Sequence, residues 1–160
     1  MIYRIRQFIN GINAKIYNED KIFIEKYLNN KEQELFYKLR LSEQRHSLNV
    51  AYGCNKEMSA NSTLIKAALL HDIGKISSNL SIINKSLVVI SIALKIKDSY
   101  LPIFLRQALN YKLNHGHLGY ELLKNLVSDE KMLMLIKHHH YPDDYMIPEM
   151  QVLIKYDDLN

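Results

Sequence analysis

The amino-acid sequence predicts an all-α protein that folds as one compact helical domain. Among its 160 residues are only three prolines and five glycines, so few positions interrupt a helix. No alternating apolar and polar run with hairpin-type turns is present, and apolar residues instead recur three and four apart almost throughout. A chain of 160 residues also suits a single domain with a substantial core.

The composition excludes several classes of protein. The single cysteine, Cys54, excludes an internal disulfide and a cysteine-rich zinc site. The 21 Lys and Arg against 17 Asp and Glu give a net charge of +4, which suits phosphorylated ligands but is too scattered to predict binding of duplex nucleic acid. No secretory or transmembrane segment is recognised, and we therefore expect a soluble cytoplasmic protein.

The first 40 residues are predicted to form helices that pack on a domain spanning residues 41–160. A first helix carries a narrow isoleucine stripe, whose members are Ile2, Ile5, Ile9, Ile12 and Ile16. This stripe can pack on its own domain, pair with a second copy in a homodimer, or touch a membrane surface, and we expect the first. A second helix is predicted from about Asp20 to Leu28, and a third begins near Asn30.

The central helices are predicted from their capping residues. Ser42 is predicted to cap a long helix that reaches about Ala60, and Asn61 or Ser62 to cap the next, which ends at residues 71–72. Residues 77–81 and 141–147 are predicted loops. The remaining helices are predicted to start at Asn84, at Pro102, at Tyr111, after the cap Ser128, and at Pro148.

A histidine and an aspartate, His71 and Asp72, stand side by side at the end of an apolar run, 64–70. Both are poor residues for a helix interior, and the burial of either one requires a partner. A divalent cation is such a partner, because neutral imidazole and carboxylate together suit Mn, Fe, Co, Ni or Zn. The pair therefore predicts a metal site whose other ligands lie elsewhere in the chain.

Helical phase selects among the other histidines, because residues three and four apart share one face. His115 lies on a stripe that we predict to be buried through Leu118, Leu122 and Leu126, whereas His117 falls on a charged face. The three histidines at 138–140 cannot all reach one site from a regular helix. Two of them, 139 and 140, lie three and four residues beyond an apolar position and are preferred, with the register 138/139 as the alternative.

Phase also selects a histidine near the start of the domain and an aspartate near its end. His46 shares a stripe with Cys54 and is expected inside, away from the charged face that carries Glu43. Asp157 continues the apolar stripe of the last helix better than Asp158. Each candidate alone has an ordinary explanation, as a hydrogen-bonded core histidine or a surface acid. Their joint position on inward stripes of five helices favours a metal site.

At these positions the chain resembles the HD superfamily of metal-dependent phosphohydrolases. The motifs that carry the resemblance are, in chain order, His46, His71-Asp72-Ile73-Gly74-Lys75, His115-Gly116-His117-Leu118-Gly119, His139-His140 and Asp157. The five-residue string is specific when further His and Asp residues flank it. The resemblance covers roughly residues 42–160 and implies the all-α fold of that family.

The resemblance implies a complete set of metal ligands. The one-metal set of the family corresponds to His46, His71, Asp72 and Asp157. The further ligands of members that hold two or more metals correspond to His115, His139 and His140, with Asp72 as the bridge. One or two divalent ions are therefore expected, and a histidine-rich set disfavours Mg²⁺ relative to Mn, Fe, Co, Ni or Zn.

The resemblance also implies hydrolysis of a phosphoester or phosphoanhydride of a small, nucleotide-type substrate by metal-activated water. Asp72 is expected to orient the water and to accept its proton, and Lys75 to bind phosphate or to stabilise charge in the transition state, although a cation at a helix end explains Lys75 equally well. Arg45 is a weaker phosphate candidate at the surface. The residues after the paired histidines lack the glycine of the Gly-Tyr-Pro signature of cyclic-di-GMP-hydrolysing members, so a different substrate is expected. A regulatory or scaffold domain that binds metal or nucleotide with little turnover is the alternative.

Overall fold

Helices make up most of the described part of the chain. The computed structural model describes residues 14–77, 100–142 and 145–160. Its helices are α1 (Asn18–Tyr27), α2 (Asn30–Phe36), α3 (Leu41–Glu57), α4 (Ser62–Leu70), a 3₁₀ helix (Ile73–Ser77), α5 (Ile103–Leu123), α6 (Glu130–His138) and α7 (Pro148–Leu159). No β-strand occurs among these residues, and the all-α prediction is confirmed.

Short polar side chains cap three of the helices. Asn29 and Glu32 form a capping box at the start of α2, each accepting a hydrogen bond from the backbone N–H of the other, at 3.0 and 2.8 Å. The side chain of Asn61 caps α4, as predicted, because its Oδ1 accepts a hydrogen bond from the backbone N–H of Leu64 at 2.9 Å. The cap of α6 is Asp129 rather than the predicted Ser128, because the carboxylate of Asp129 is the group that accepts from the first turn, at 3.0 Å.

The predicted bounds of α3 are wrong at both ends. The helix begins at Leu41, with Arg40 as its N-cap residue and no side-chain cap, so Ser42 lies inside the first turn. It ends at Glu57 rather than near Ala60. The N-terminal start follows from the extended backbone of Arg40, which already ends the preceding loop.

The two helices predicted to start at Pro102 and Tyr111 form the single helix α5. No proline or glycine interrupts residues 103–115, so nothing in the sequence stops the helix. The predicted helix over 84–96, the predicted loop after residue 77, and the isoleucine stripe except Ile16 lie outside the described residues.

The central helix of the described fold is α4. It packs against α1, α3, α6 and α7, and its apolar side chains from Leu64 to Leu70 are fully buried. Each fully buried leucine contributes about 2 kcal/mol through removal of its surface from water. Lys66, the exception within the run, reaches out to pair with Glu32 at 2.9 Å and so joins α4 to α2.

Helices α1 and α2 pack on the same core as the other described helices. Ile24, Leu28 and Phe36 are buried members of the hydrophobic core, and Ile16 is half-buried against it. Within the described residues, none of the helices combines the length and the apolar character that a membrane span requires.

Candidate metal centre

Seven histidine and aspartate side chains converge beyond the C-terminal end of α4. They are His46 on α3, His71 and Asp72 after α4, His115 on α5, His139 and His140 after α6, and Asp157 on α7. We call them the His/Asp cluster. Their nitrogen and oxygen atoms form three overlapping groups, and within each group all these atoms lie within 4.8 Å of one another. The fold thus brings together the seven residues that the sequence singles out.

The first half of the cluster is built around His71, which is fully buried. Its Nδ1 lies 2.8 Å from the carbonyl oxygen of Ala68 and must donate to it, since a carbonyl only accepts. Its Nε2 makes no hydrogen bond with the described residues, and lies 3.4 Å from Asp157 Oδ1 and 3.6 Å from Asp72 Oδ2. A neutral ring held in this way directs its lone pair into the cluster.

His46 and Asp157 form one partly exposed edge of the cluster. The Nε2 of His46 lies 2.9 Å from Oδ1 of Asp157, and the two side chains are 19% and 17% exposed. The same nitrogen lies 3.8 Å from Oδ2 of Asp72. These two residues are therefore the solvent-accessible members of the first half, whereas His71 and Asp72 are buried.

Three imidazole rings make the second half of the cluster. The Nε2 of His115 lies 2.8 Å from that of His140 and 3.3 Å from that of His139. His139 donates through Nδ1 to the carbonyl oxygen of Ile136 at 2.7 Å, so in the neutral ring its Nε2 carries a lone pair. His115 and His139 are buried, whereas His140 lies at the exposed rim.

Asp72 joins the two halves of the cluster. Its Oδ2 faces the Nε2 atoms of His46 and His71, at 3.8 and 3.6 Å, whereas its Oδ1 lies 3.1 Å from Nε2 of His115. The carboxylate therefore presents one oxygen to each half. This is the arrangement that a carboxylate needs if it is to bridge two cations.

The charges of the two halves differ. Burial lowers the pKa of His71, but the carboxylates of Asp72 and Asp157 outweigh burial and raise it to about 9. Burial raises the pKa of Asp72, yet the Lys75 ammonium and the neighbouring histidines hold it well below its usual range. Both carboxylates of this half thus stay ionised, and the surroundings of His71 favour a positive charge.

In the second half, the surroundings of His139 and His140 favour neutral rings. Burial, followed by the neighbouring His71 and His140, holds the pKa of His139 well below its usual value. Burial and the adjacent His115 lower the pKa of His140 to about 4. Rings that remain unprotonated at neutral pH offer their nitrogen lone pairs to a cation rather than to protons.

The residues of the cluster fit a divalent cation of the Mn, Fe, Co, Ni or Zn type. The buried Nε2 of His71 lacks a hydrogen bond among the described residues, and the Nε2 atoms of the second half face one another. Buried groups in such an arrangement repel one another unless a proton or cation lies among them. A set of five histidines and two carboxylates suits borderline transition metals better than Mg²⁺, which prefers oxygen ligands.

Two glycines allow the segments that carry the cluster to approach one another. A Cβ on Gly74 would lie 2.0 Å from the carbonyl oxygen of His115, and a Cβ on Gly116 would lie 2.7 Å from that of Lys137. Both oxygens are backbone atoms, which cannot rotate away. Gly74 therefore lets the 3₁₀ helix lie against α5, and Gly116 lets the end of α6 bring His139 to His115.

The buried stripe predicted for α5 is wrong, although it led to the right histidine. Leu122 and Leu126 are 38% and 43% exposed, and Leu118 is only half-buried. The buried side of this helix carries the small residues Gly116 and Gly119, because its neighbours approach to backbone contact there. Leucine positions therefore do not identify the buried face of a helix where glycine makes the contact with its neighbour.

The residues rejected from the sequence lie outside the cluster. His117 and Asp158 are exposed. The ring of His138 lies beside Tyr145, with 6.0 Å between centroids, and is not part of the cluster, which disfavours the alternative 138/139 register. Arg45 forms an ion pair with the buried Asp20, so its guanidinium is directed to α1 rather than to a phosphate in the cluster.

Lys75 lies beside the cluster with an acidic residue that sequence reasoning missed. Its Nζ is 2.6 Å from Oδ2 of Asp72 and 3.7 Å from Oε2 of Glu43. The prediction had assigned Glu43 to the outer face of α3, but its side chain is only 13% exposed. The signal that would have found it is spacing, because Glu43 is three residues before His46 and shares its face.

Comparison with known proteins identifies the family. The HD domain family matches residues 44–159, which include all seven members of the His/Asp cluster. No curated protein and no solved structure gave a match. HD domains bind divalent metals, and the family consists mainly of metal-dependent phosphohydrolases. With the all-α fold and the His/Asp cluster at hand, the match over most of the chain establishes that this protein belongs to the HD domain family.

Proposed function

We propose that the protein is a metal-dependent phosphohydrolase that cleaves a phosphoester or phosphoanhydride bond of a small phosphorylated substrate, with nucleotides as the expected class. The observation that carries the proposal is the position of Asp72 between two groups of histidines, with one carboxylate oxygen towards each. Structural histidines need no such shared carboxylate, whereas hydrolysis of a phosphate with two cations does.

The proposed ligands are the members of the His/Asp cluster. One ion would be held by His46, His71, Asp72 and Asp157, and a second by Asp72, His115, His139 and His140. The carbonyl oxygens that accept from His71 and His139 hold these rings in the ligating tautomer. A cation bound by such ligands lowers the pKa of a coordinated water molecule and thereby supplies a nucleophile at neutral pH.

The residues of the chain would orient the reactants. Hydrolysis adds the water oxygen to phosphorus and breaks the bond between phosphorus and the leaving oxygen, which departs with the bonding electrons. Asp72 stays ionised because its pKa is low, so it serves as a hydrogen-bond acceptor that orients the water rather than as a strong base. Lys75 Nζ donates to a non-bridging phosphate oxygen and stabilises the charge that develops there.

Metal analysis and a substrate panel test this proposal together. Protein purified after supplementation with Mn²⁺ or Fe²⁺ should contain at least about one equivalent of metal. It should release phosphate or a phosphomonoester from members of a panel of mononucleotides, dinucleotides and sugar phosphates, and chelation should abolish the release. Asp72→Ala should lower turnover by at least about a hundredfold.

Asp158→Ala is the matched control, because this neighbouring acid is exposed and outside the cluster. It should leave metal content and turnover unchanged. Asp72→Ala protein with full activity would refute the proposed mechanism. Stoichiometric metal without turnover on any substrate would refute hydrolysis and indicate a regulatory domain.

A further inference from the structure

A half-buried carboxylate and the carboxylate of the cluster lie on either side of one ammonium group. Lys75 extends from the 3₁₀ helix, and its Nζ contacts Asp72 Oδ2 at 2.6 Å. Glu43 projects from the first turn of α3 to within 3.7 Å of the same nitrogen. Burial lowers the pKa of Lys75, but the two carboxylates raise it above its usual value, so the side chain carries its charge at neutral pH.

The oxygen that Lys75 contacts is also one that the proposed ligand set requires. Oδ2 of Asp72 is the atom that faces His46 and His71. A divalent cation held by these residues takes electron density from that oxygen and repels the nearby ammonium. The ammonium then needs another carboxylate within reach, because an ionised group that is three-quarters buried is costly without one.

Glu43 is placed to supply that carboxylate. It shares one face of α3 with His46, three residues away, and so approaches the cluster from the same helix as a proposed ligand. Its side chain is largely buried, which makes its charge poorly screened by solvent.

We propose that Glu43 is a positioning residue for Lys75: it retains the ammonium at the rim of the His/Asp cluster when Asp72 binds a cation, and so keeps it available to the substrate phosphate. This inference deepens the proposed function and rests on its metal centre. Glu43 acts through Lys75 and is not itself a ligand of the cation.

A double-mutant cycle on Mn²⁺ affinity tests the inference without reliance on turnover. Glu43→Gln should weaken Mn²⁺ binding, measured by titration calorimetry, by about tenfold, because Lys75 then loses the nearby carboxylate that draws it away from Asp72 and competes more strongly for Asp72. Lys75→Met should strengthen binding. In the Lys75→Met background, Glu43→Gln should change the affinity by less than about twofold, since the group through which Glu43 acts is gone.

Glu57→Gln is the matched control, because Glu57 lies on the same helix and pairs with Lys155 at 2.6 Å on the exposed surface. It should leave Mn²⁺ affinity unchanged. An equal loss from Glu43→Gln in both backgrounds would show a direct effect of its charge on the cation and would overturn the inference. No loss in the wild-type background would overturn it as well.

The outcomes for the inference and for the proposed function are separable. Wild-type protein that binds Mn²⁺ but hydrolyses no phosphate refutes the proposed function, while the cycle still decides the role of Glu43. Where turnover is found, Glu43→Gln should raise KM for the phosphate substrate, and this rise should vanish in the Lys75→Met background. Thermal unfolding of each variant establishes that it is folded under the conditions of the titration.

Discussion

At the scale of single residues, two histidines of the cluster make the same hydrogen bond at the end of a helix. His71 and His139 are the C-cap residues of α4 and α6, and each donates through Nδ1 to the carbonyl oxygen three residues earlier. That bond satisfies a carbonyl that the end of the helix leaves without a partner, and it directs Nε2 inward. The next residue in each case, Asp72 or His140, supplies a second side chain to the cluster. A helix end can therefore place two adjacent side chains in the cluster.

The consecutive histidines provide a test at this scale. His139→Ala should lower Mn²⁺ affinity by at least about tenfold, because it removes a buried nitrogen from the second half of the cluster. His138→Ala, one residue earlier, should change it by less than about twofold, because that ring lies beside Tyr145. Titration of Mn²⁺ into each variant measures the difference. Equal losses from both variants would contradict the assignment.

At the scale of elements, the contact between α5 and α6 depends on the absence of side chains. Gly116 faces backbone carbonyl oxygens of α6. Gly119 instead faces the γ2 methyl groups of Ile73 and Ile136, each of which would lie 3.1 Å from a Cβ at position 119. Backbone atoms cannot yield without a shift of the whole helix, but a methyl group can move by a few tenths of an ångström. The two glycines therefore differ in their tolerance of a methyl group.

Alanine substitution should reveal that difference. Gly116→Ala should lower the free energy of unfolding by about 2–3 kcal/mol, because it separates α5 from α6, and it should also weaken Mn²⁺ binding. Gly119→Ala should change stability by less than about 1 kcal/mol, since the gain in helix propensity offsets a small steric cost. Urea unfolding of both variants gives the comparison. A loss for Gly119→Ala as large as that for Gly116→Ala would argue against this account of the contact.

A buried ion pair joins α1 to α3. Asp20 is almost fully buried, pairs with Arg45, and accepts hydrogen bonds from Tyr52 Oη at 2.9 Å and from the backbone N–H of Tyr17 at 2.7 Å. Burial raises the pKa of Asp20, but these partners outweigh burial and lower it. The pair holds α1 on the helix that also carries His46.

Asp20→Asn should lower the free energy of unfolding at neutral pH by about 2–3 kcal/mol, because it removes the buried carboxylate that balances the charge of Arg45. The pKa of Asp20 is lower in the folded protein than in the unfolded chain, where it is about 4. The stability that Asp20 contributes is therefore fully present above about pH 4, and it is lost as the pH falls through the lower pKa of the folded state. The difference between wild type and variant should therefore shrink below about pH 4. Glu19→Gln, an exposed neighbour in the same turn, should show neither effect in urea unfolding at each pH.

At the scale of the whole molecule, the cluster links segments that are far apart in the chain. Its members come from α3, from the ends of α4 and α6, from α5 and from α7, so a bound cation would add a further link between parts of the fold that packing and polar contacts already join. Anything that binds the folded state alone stabilises it in proportion to the logarithm of its concentration over its dissociation constant.

The melting temperature should therefore respond to metal. Mn²⁺ at about one hundred times its dissociation constant should add about 2.7 kcal/mol of stability, which calorimetry detects as a rise in Tm that EDTA reverses. His71→Ala should abolish the rise, because it removes the buried nitrogen at the centre of the first half. An unchanged rise in this variant would mean that Mn²⁺ stabilises the protein elsewhere.

The sequence by itself determined the helical class, most helix positions and the seven members of the cluster. Helical spacing is a local property, and histidine and aspartate at buried positions are conspicuous because their burial is costly without a partner. The sequence predicted helix ends less well than helix interiors. Ser42 and Ser128 were each predicted as N-cap residues, but the N-cap residues are Arg40 and Asp129.

Only the tertiary structure decided which atoms meet. The two oxygens of Asp72 face different histidines, Glu43 lies beside Lys75, and α5 approaches α6 at Gly116 and Gly119. These features depend on the approach of segments that are distant in sequence, and no periodicity within one helix encodes the distance to another. The sequence could therefore name the members of the His/Asp cluster, while the division of the cluster into two halves around Asp72 follows from packing.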